Sequence, residues 1–83
     1  MQKEEIIKII DNFLIEEFEI EASKVKPDAH LQDDLELESL DFVDIAVIVE
    51  EEFGFKLKGE EMGNVRTLND LYDFIYNYLQ KNK

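Results

Sequence analysis

The sequence predicts an all-α protein, a small bundle of three long helices plus one short helix. Apolar residues recur at the 3.6-residue period of a helix in three segments of the chain. Helix breakers separate these segments, with Pro27 in the first connection and Gly54 after the second segment. The alternating stretch Phe55–Lys58 is too short to indicate a strand and has no partner strand. Because 83 residues leave room for one core, we expect a single domain spanning residues 1–83.

The first helix is predicted from about Lys3 to Phe18. One side of it is apolar and is expected to face the core: Ile6, Ile7, Ile9, Ile10, Phe13, Leu14 and Phe18. A long connection follows, from about Glu21 to Glu38, and connections of this length usually carry function or their own anchors. Five apolar residues are expected to anchor it across the bundle: Val25, Ala29, Leu31, Leu35 and Leu37. His30 has no second metal ligand nearby, so we expect a loop-packing histidine and no metal or catalytic role.

The second helix, from about Ser39 to Phe53, carries two apolar stripes. The wider stripe is expected to face the core and consists of Phe42, Ile45, Ala46, Val49 and Phe53. Leu40, Val43 and Val47 form a second stripe on nearly the opposite side. A helix that buries a single face needs no second stripe, and apolar residues rimmed by charge are typical of a docking patch. The alternative is that another helix covers these three residues and leaves only acidic side chains exposed.

The remaining chain is predicted to hold the short helix and the last long one. The short helix is expected over Gly59–Gly63. Thr67 followed by Asp70 resembles a capping box, with aspartate in place of the usual glutamate or glutamine. The last helix then runs to about Leu79, and six residues are expected on its inner side: Leu68, Leu71, Tyr72, Ile75, Tyr78 and Leu79.

The composition is strongly acidic, with 21 aspartates and glutamates, nine lysines and arginines, and a formal charge of −12. Such a surface repels nucleic-acid phosphates and anionic lipids and attracts proteins with basic patches, although the charge could also serve only solubility. There is no cysteine, the first ten residues do not resemble a secretory signal, and no apolar run is long enough to span a bilayer. We therefore expect a cytoplasmic monomer that binds neither nucleic acid nor membranes.

No self-contained active site or metal site can be assembled from these residues. Ser39 lacks a Gly-x-Ser-x-Gly context, and the only histidine lies nine residues earlier, which argues against a catalytic triad. The acidic stretch from Asp34 fails as a calcium loop because Ser39 takes the required glycine position and Ile45 the required glutamate position. What remains is Ser39 itself, where the long loop meets the second helix. Its simplest role is that of a plain helix N-cap.

The residues around Ser39 resemble the signature of acyl carrier proteins. The motif reads Leu35-Glu36-Leu37-Glu38-Ser39-Leu40-Asp41-Phe42-Val43-Asp44, followed by Glu50-Glu51-Glu52-Phe53. In that family an Asp-Ser-Leu element opens the second helix and an acidic Glu-Glu-x-Phe-type run closes it. The similarity extends over nearly the whole chain, through the long loop to Val65-Arg66-Thr67-Leu68 before the last helix. It implies an acyl-carrier-protein-like bundle and a carrier that is not an enzyme.

The resemblance also implies a covalent cofactor and its site residues. A magnesium-dependent transferase would attach 4′-phosphopantetheine from coenzyme A to Ser39. The terminal thiol would carry acyl groups as thioesters to fatty-acid or polyketide-type enzymes, which fits a protein that has no thiol of its own. Seven positions match those that contact partner enzymes and their basic patches: Leu40, Asp41, Val43, Asp44, Val47, Glu50 and Glu51. Four match the lining of an acyl-chain cavity but could equally be ordinary core: Val49, Met62, Val65 and Leu71.

Three residues depart from the family's pattern. Glu38 stands where aspartate usually precedes the serine, Glu36 replaces a frequent glycine, and Phe42 is larger than the small polar residue common there. These departures suggest a carrier for a specialised pathway, and they bear on which transferase recognises Ser39.

The residues alone leave other functions open. The first is an unmodified acidic helical adaptor that binds a basic protein through the second helix. A carrier of aminoacyl cargo is a further possibility, although the acidic charge favours acyl cargo. The last is an acidic mimic of nucleic acid, whose binding would be lost in salt.

Overall fold

A computed structural model describes residues 2–57 and 63–81 of the protein. These residues form three α-helices, α1 (Lys3–Glu17), α2 (Ser39–Phe53) and α3 (Leu68–Lys81), and one short 3₁₀ helix, Ala22–Lys24. In these two ranges there is no β-strand, and the extended pairing is limited to an isolated antiparallel bridge between His30 and Thr67. The predicted all-α fold class is confirmed, and the three long helices begin and end within two residues of the predicted positions.

The core lies between the inner faces of the three helices and the long connection. The helices contribute Ile6, Ile10, Phe13, Leu14, Ile45, Val49, Leu68, Leu71, Tyr72 and Ile75. These residues follow the helical period that the sequence shows, so the predicted core faces of α1, α2 and α3 are confirmed. Near one end of the core the ring of Phe55 stacks on that of Tyr78, with centroids 4.0 Å apart.

The long connection between α1 and α2 is anchored by its apolar residues, as predicted. Val25 is half-buried, and the other four anchors are buried: Ala29, Leu31, Leu35 and Leu37. His30 differs from the prediction, because its side chain is exposed and does not pack in the loop. Its backbone contributes instead, since the His30 N–H donates to Asp34 Oδ2 at 2.8 Å and the His30 carbonyl accepts from Asp34 N–H.

Backbone hydrogen bonds join this connection to the segment that enters α3. The Leu31 N–H donates to the Arg66 carbonyl at 2.9 Å, and the Leu68 N–H donates to the Ala29 carbonyl at 3.0 Å. The Asn69 N–H reaches the Pro27 carbonyl at 2.8 Å. These three bonds, which we call the loop tie, fix the long connection against the start of α3.

Both predicted helix signals near α2 and α3 are present. Gly54 ends α2 in the left-handed conformation (φ 79°), and its N–H donates to the Glu50 carbonyl at 3.0 Å. At the start of α3 the Asp70 N–H donates to Thr67 Oγ1, and the Thr67 and Arg66 N–H groups both donate to Asp70 Oδ2. These two backbone bonds are the largest cause of the lowered pKa of the Asp70 carboxyl.

Helices α1 and α3 are joined by two polar contacts as well as by the core. The Tyr72 hydroxyl donates a hydrogen bond to the Asp11 carboxylate, and Lys3 forms an ion pair with Asp73. Burial raises the pKa of Asp11 above its usual value, although the hydrogen bond from Tyr72 opposes that shift. Burial and the neighbouring carboxylate raise the pKa of the Tyr72 hydroxyl as well.

The short helix predicted over Gly59–Gly63 falls mainly outside the described residues, and Gly63, which is described, lies in a turn. None of the helices described between residues 2 and 81 combines the length and apolar character that a bilayer crossing requires.

Candidate functional site

Ser39 is the first residue of α2. Glu38 occupies the N-cap position in an extended conformation (φ −103°, ψ 173°), so the alternative that Ser39 is itself the cap is wrong. The Ser39 side chain is exposed, and its hydroxyl makes no hydrogen bond to any residue in the described ranges. The hydroxyl is therefore accessible from solvent and is not engaged in holding the helix.

The segment that leads into Ser39 is fixed on both sides. Leu35 and Leu37 are buried, and the Leu37 N–H donates to the Leu31 carbonyl at 3.0 Å. Between them Glu36 has a left-handed backbone (φ 56°), a conformation that glycine adopts without strain and other residues adopt at a cost. This conformation gives a physical reason for the glycine that is frequent at this position in the family that the sequence resembles.

The N-terminus of α2 offers a polar setting that suits an anionic group. The backbone N–H groups of Ser39 and Leu40 have no acceptor among residues 2–57 and 63–81. Unpaired N–H groups and the helix dipole favour negative charge at such an end. An exposed hydroxyl beside these N–H groups therefore fits the attachment of a phosphodiester.

The second apolar stripe of α2 is exposed. Leu40 exposes 76% of its surface, Val43 61% and Val47 49%, and these are the large apolar side chains that the described structure leaves exposed. The alternative in which another helix covers the stripe is therefore wrong. Apolar side chains grouped in this way on a small protein are typical of a contact surface for another molecule.

Acidic residues border this stripe. Asp44, Glu50 and Glu51 are exposed and Asp41 is half-buried. Within the described part of the chain the acidic side chains of α2 form no ion pair, since the one salt bridge there joins α1 to α3. Their charge is therefore available to an approaching molecule.

A cleft of about 450 Å³ opens beside Ser39. The described residues that line it are Gln32, Ser39, Phe42, Val43, Ala46, Leu57 and Gly63. Phe42, Val43 and Ala46 follow Ser39 by three, four and seven residues, so helical spacing alone places them on the same face as Ser39. Nothing in the sequence, by contrast, indicates that Gln32 and Leu57 reach the cleft from other segments.

The described residues proposed for an acyl-chain cavity, Val49, Val65 and Leu71, do not line this cleft. Val49 and Leu71 are fully buried in the core, and Val65 is buried beside a second cleft of about 350 Å³ that His30 and Arg66 also line. Met62 lies outside the described residues. Phe42 borders both clefts. The structure thus places the larger cleft next to Ser39 without bringing Val49 or Leu71 to its surface.

Metal-ligating side chains do not cluster within residues 2–57 and 63–81. No group of three or more histidine, cysteine or carboxylate side chains is placed to hold a metal ion in those ranges. What the site offers is an accessible hydroxyl, an apolar stripe and a border of negative charge.

The comparisons with known proteins agree with this geometry. A family model described as the phosphopantetheine attachment site matches residues 8–75. Acyl carrier protein 2 of Ralstonia nicotianae is 37% identical over 79 residues, covering 95% of this chain and 98% of that protein. The acyl carrier proteins of Coprothermobacter proteolyticus and Thermosynechococcus vestitus are 35% and 34% identical, over 90% and 93% of this chain and 92% and 95% of their own lengths.

The chain belongs to the acyl carrier protein family. As an acyl carrier protein it is a carrier and not an enzyme, and its cofactor is 4′-phosphopantetheine. When bound, this group supplies the thiol that holds an acyl chain as a thioester. Family membership also implies interaction with a phosphopantetheinyl transferase and with acyl-processing enzymes. Membership of this family favours an acyl carrier over the unmodified adaptor, the aminoacyl carrier and the nucleic-acid mimic.

Proposed function

We propose that Ser39 is the attachment site of 4′-phosphopantetheine and that the protein delivers acyl intermediates to enzymes of a fatty-acid or polyketide-type pathway. The observation that carries this proposal is the exposed, unbonded hydroxyl of Ser39 at the N-terminus of α2, within the stretch that the family model matches. The protein would act as a monomeric carrier domain spanning residues 1–83, since a charge of −12 opposes self-association.

The attachment step uses the Ser39 hydroxyl as the nucleophile. Its oxygen attacks the phosphorus of the coenzyme A diphosphate that bears the pantetheine, and a new Ser39 O–P bond forms. The bond between that phosphorus and the bridging oxygen breaks, adenosine 3′,5′-bisphosphate leaves, and the serine proton passes to a base of the transferase or to solvent. The unpaired N–H groups of Ser39 and Leu40 would then lie beside the anionic phosphodiester.

The exposed face of α2 is proposed as the surface that partner enzymes contact. Leu40, Val43 and Val47 would be buried against the partner, and the carboxylates of Asp44, Glu50 and Glu51 would meet a basic patch at its edge. An apolar centre with a charged border favours fast, guided encounter and release, which a carrier that visits several enzymes requires. Asp41 belongs to the same border by position.

The cleft beside Ser39 is proposed as the place where the arm and a bound acyl chain lie between encounters. Its described lining is mostly apolar, with Phe42, Val43, Ala46 and Leu57 near the attachment site. The proposed cavity residues Val49, Met62, Val65 and Leu71 would form a deeper wall only if the core opened to admit the chain, because Val49 and Leu71 are fully buried.

Modification of Ser39 is tested by intact-mass measurement. Purified apo-protein is incubated with coenzyme A, Mg²⁺ and a promiscuous phosphopantetheinyl transferase, and we expect a single added phosphopantetheine. Ser39→Ala should abolish the adduct, whereas the matched control Ser23→Ala should retain it, since Ser23 is the other serine of the chain and is also exposed. Absence of the wild-type adduct with several transferases, or its persistence in Ser39→Ala, would overturn the assignment.

A further variant separates the carrier from an adaptor that uses the same face of α2. Val43→Asp should weaken contact with partner enzymes in either case, whereas Ser39→Ala should remove acyl transport only in a carrier. If Ser39→Ala supports the pathway as well as wild type, the protein acts as an adaptor.

A further inference from the structure

We infer that Asp41 is a positioning residue for Ser39, which holds the turn that presents the serine hydroxyl to the transferase. The inference rests on the proposed function, in which Ser39 is the attachment site. It changes the role that the family resemblance implies for Asp41, which is contact with partner proteins.

The hydrogen bonds around Ser39 carry this inference. The Glu38 N–H donates to Asp41 Oδ2 at 2.8 Å. In return the Glu38 carbonyl accepts from the Asp41 N–H at 2.9 Å and from the Phe42 N–H at 3.2 Å. Ser39 and Leu40 lie between the two residues that these bonds join. Because Ser39 makes no hydrogen bond through its own hydroxyl, its direction depends on bonds made by its neighbours.

Asp41 also differs from the other carboxylates of α2. It is half-buried and accepts a hydrogen bond, whereas Asp44, Glu50 and Glu51 are exposed and accept none from the described residues. A carboxylate engaged with a backbone N–H has less of its charge and fewer of its lone pairs free for an approaching lysine or arginine. Asp41 therefore lies on the acidic border of the stripe, but its main role is to hold the turn and not to attract a partner enzyme.

The residues before Ser39 explain why such a bond is needed. Glutamate is not among the residues that cap helices well, so Glu38 is a weak N-cap compared with aspartate or serine. Two residues earlier, Glu36 has a left-handed backbone that a non-glycine residue adopts at a cost. The turn into α2 is closed by a capping box between Glu38 and Asp41, and the bond that the Glu38 N–H donates to the Asp41 carboxylate fixes the Glu38 end.

The first test compares matched variants in the transferase reaction, with the apo-protein as the varied substrate. Loss of a hydrogen bond at a helix N-terminus lowers the equilibrium constant for forming the ordered turn about five-fold. We therefore expect Asp41→Ala to lower kcat about five-fold with KM changed by less than about two-fold. Asp41→Asn keeps an acceptor oxygen in place and should stay within about two-fold of wild type in both constants.

The control variants are Asp44→Ala and Asp44→Asn, which remove an unbonded charge from the same helix. They should raise KM together and leave kcat nearly unchanged, because a carboxylate that only attracts the partner acts on encounter. If Asp41→Asn loses as much as Asp41→Ala, or if both Asp41 variants act through KM as the Asp44 variants do, Asp41 is a docking charge and the inference fails.

A second measurement needs no transferase, and its main comparison is made within the wild-type protein. Amide hydrogen exchange in the wild-type apo-protein should be at least about five-fold slower at Glu38 than at Leu40, after correction for intrinsic rates, because the Leu40 N–H has no acceptor. The protection should persist in Asp41→Asn and disappear in Asp41→Ala. Equal exchange at Glu38 and Leu40 in wild type would overturn the inference, even if Asp41→Ala proved too unstable for kinetics.

These outcomes separate the inference from the proposed function. If no transferase modifies the wild-type protein, the proposed function fails, whatever the exchange at Glu38. If wild type is modified at Ser39 and Asp41→Ala retains wild-type kcat and KM, the positioning role alone fails.

Discussion

Helices α1 and α3 pack most closely against each other, and α2 differs from both in how it uses its apolar residues. The α1–α3 pair directs most of its large apolar side chains inward and adds the Asp11–Tyr72 hydrogen bond and the Lys3–Asp73 ion pair. Helix α2 buries Ile45 and Val49 but leaves Leu40, Val43 and Val47 exposed. The same residue types therefore stabilise the fold in one region and remain exposed, available to an approaching molecule, in the other.

The largest effect expected from this comparison is on stability, in the α1–α3 pair. Ile10→Ala should lower the free energy of unfolding by about 3 kcal/mol, because Ile10 is fully buried between the helices. The matched control Val47→Ala, on the exposed stripe of α2, should change it by less than about 0.5 kcal/mol. Urea unfolding followed by circular dichroism measures both values. Similar losses in the two variants would show that α2 is as important to the core as α1.

The converse variant should affect binding and leave stability unchanged. Val43→Asp places a charge at the centre of the exposed stripe and should lower kcat/KM of an acyl-processing partner about ten-fold. The control Asn77→Asp adds the same charge at an exposed position on α3 and should have little effect. Enzyme kinetics with the acylated carrier measure the difference. An equal loss in both variants would indicate a general effect of charge and no defined docking face.

The approach to Ser39 should also respond to a change of backbone strain. Glu36→Gly should raise the free energy of unfolding by about 1 kcal/mol, because φ of Glu36 is 56° and glycine adopts that conformation without strain. Glu19→Gly, at a residue with φ 55°, should act in the same direction. The control Glu21→Gly should be destabilising, since φ of Glu21 is −64°. Thermal unfolding of the three variants tests whether the strain is real.

The smallest effect expected is a pH dependence that arises in the α1–α3 pair. The pKa of Asp11 is higher in the folded protein than its ordinary value of 3.8, so the folded state binds more protons in the interval between the two values. Stability should therefore fall as pH rises from 3.8 through the raised pKa. Asp11→Asn keeps an acceptor for the Tyr72 hydroxyl and should flatten this part of the profile. Identical profiles for wild type and Asp11→Asn between pH 3.5 and pH 7, measured by urea unfolding and spaced about 0.5 unit apart, would contradict the assignment.

The Asp70 carboxyl contributes with the opposite sign. Backbone hydrogen bonds from Thr67 and Arg66 lower its pKa in the folded state, so its contribution to stability is lost as pH falls below 3.8 through the lowered value. Because this carboxyl is only half-buried, solvent screens its charge in part, and its contribution should be small, like that of Asp11.

Local patterns in the sequence predicted much of the fold and the position of the site. The bounds of α2, its end at Gly54 and the exposed stripe all follow from residue type and helical period, which act over a few residues. The hydrogen bond between Asp11 and Tyr72 could not be predicted in this way, because the two residues are 61 positions apart. The exposure of His30 depends likewise on which backbone groups pair across the fold.

The site was predicted less completely than the fold. Glu38 is the N-cap of α2, and the choice between Glu38 and Ser39 depends on the conformation of one residue, which residue type does not fix. The cleft beside Ser39 combines a helical face with Gln32 and Leu57 from separate segments, so only its α2 half had a signal in the sequence.

The loop tie has a consequence for how carriers of this kind can diverge. It brings Leu31 next to Arg66, so the chain departs from the start of α3 at Leu31 and returns to it at Arg66. All of α2, with Ser39 and its exposed face, lies between Leu31 and Arg66 in the chain. Besides Ile45 and Val49, this piece contributes Leu35, Leu37, Phe55, Leu57 and Val65 to the core. If α2 carries the docking surface proposed above, exchanging the piece between two related carriers with these core residues kept would transplant enzyme preference and leave the supporting scaffold unaltered.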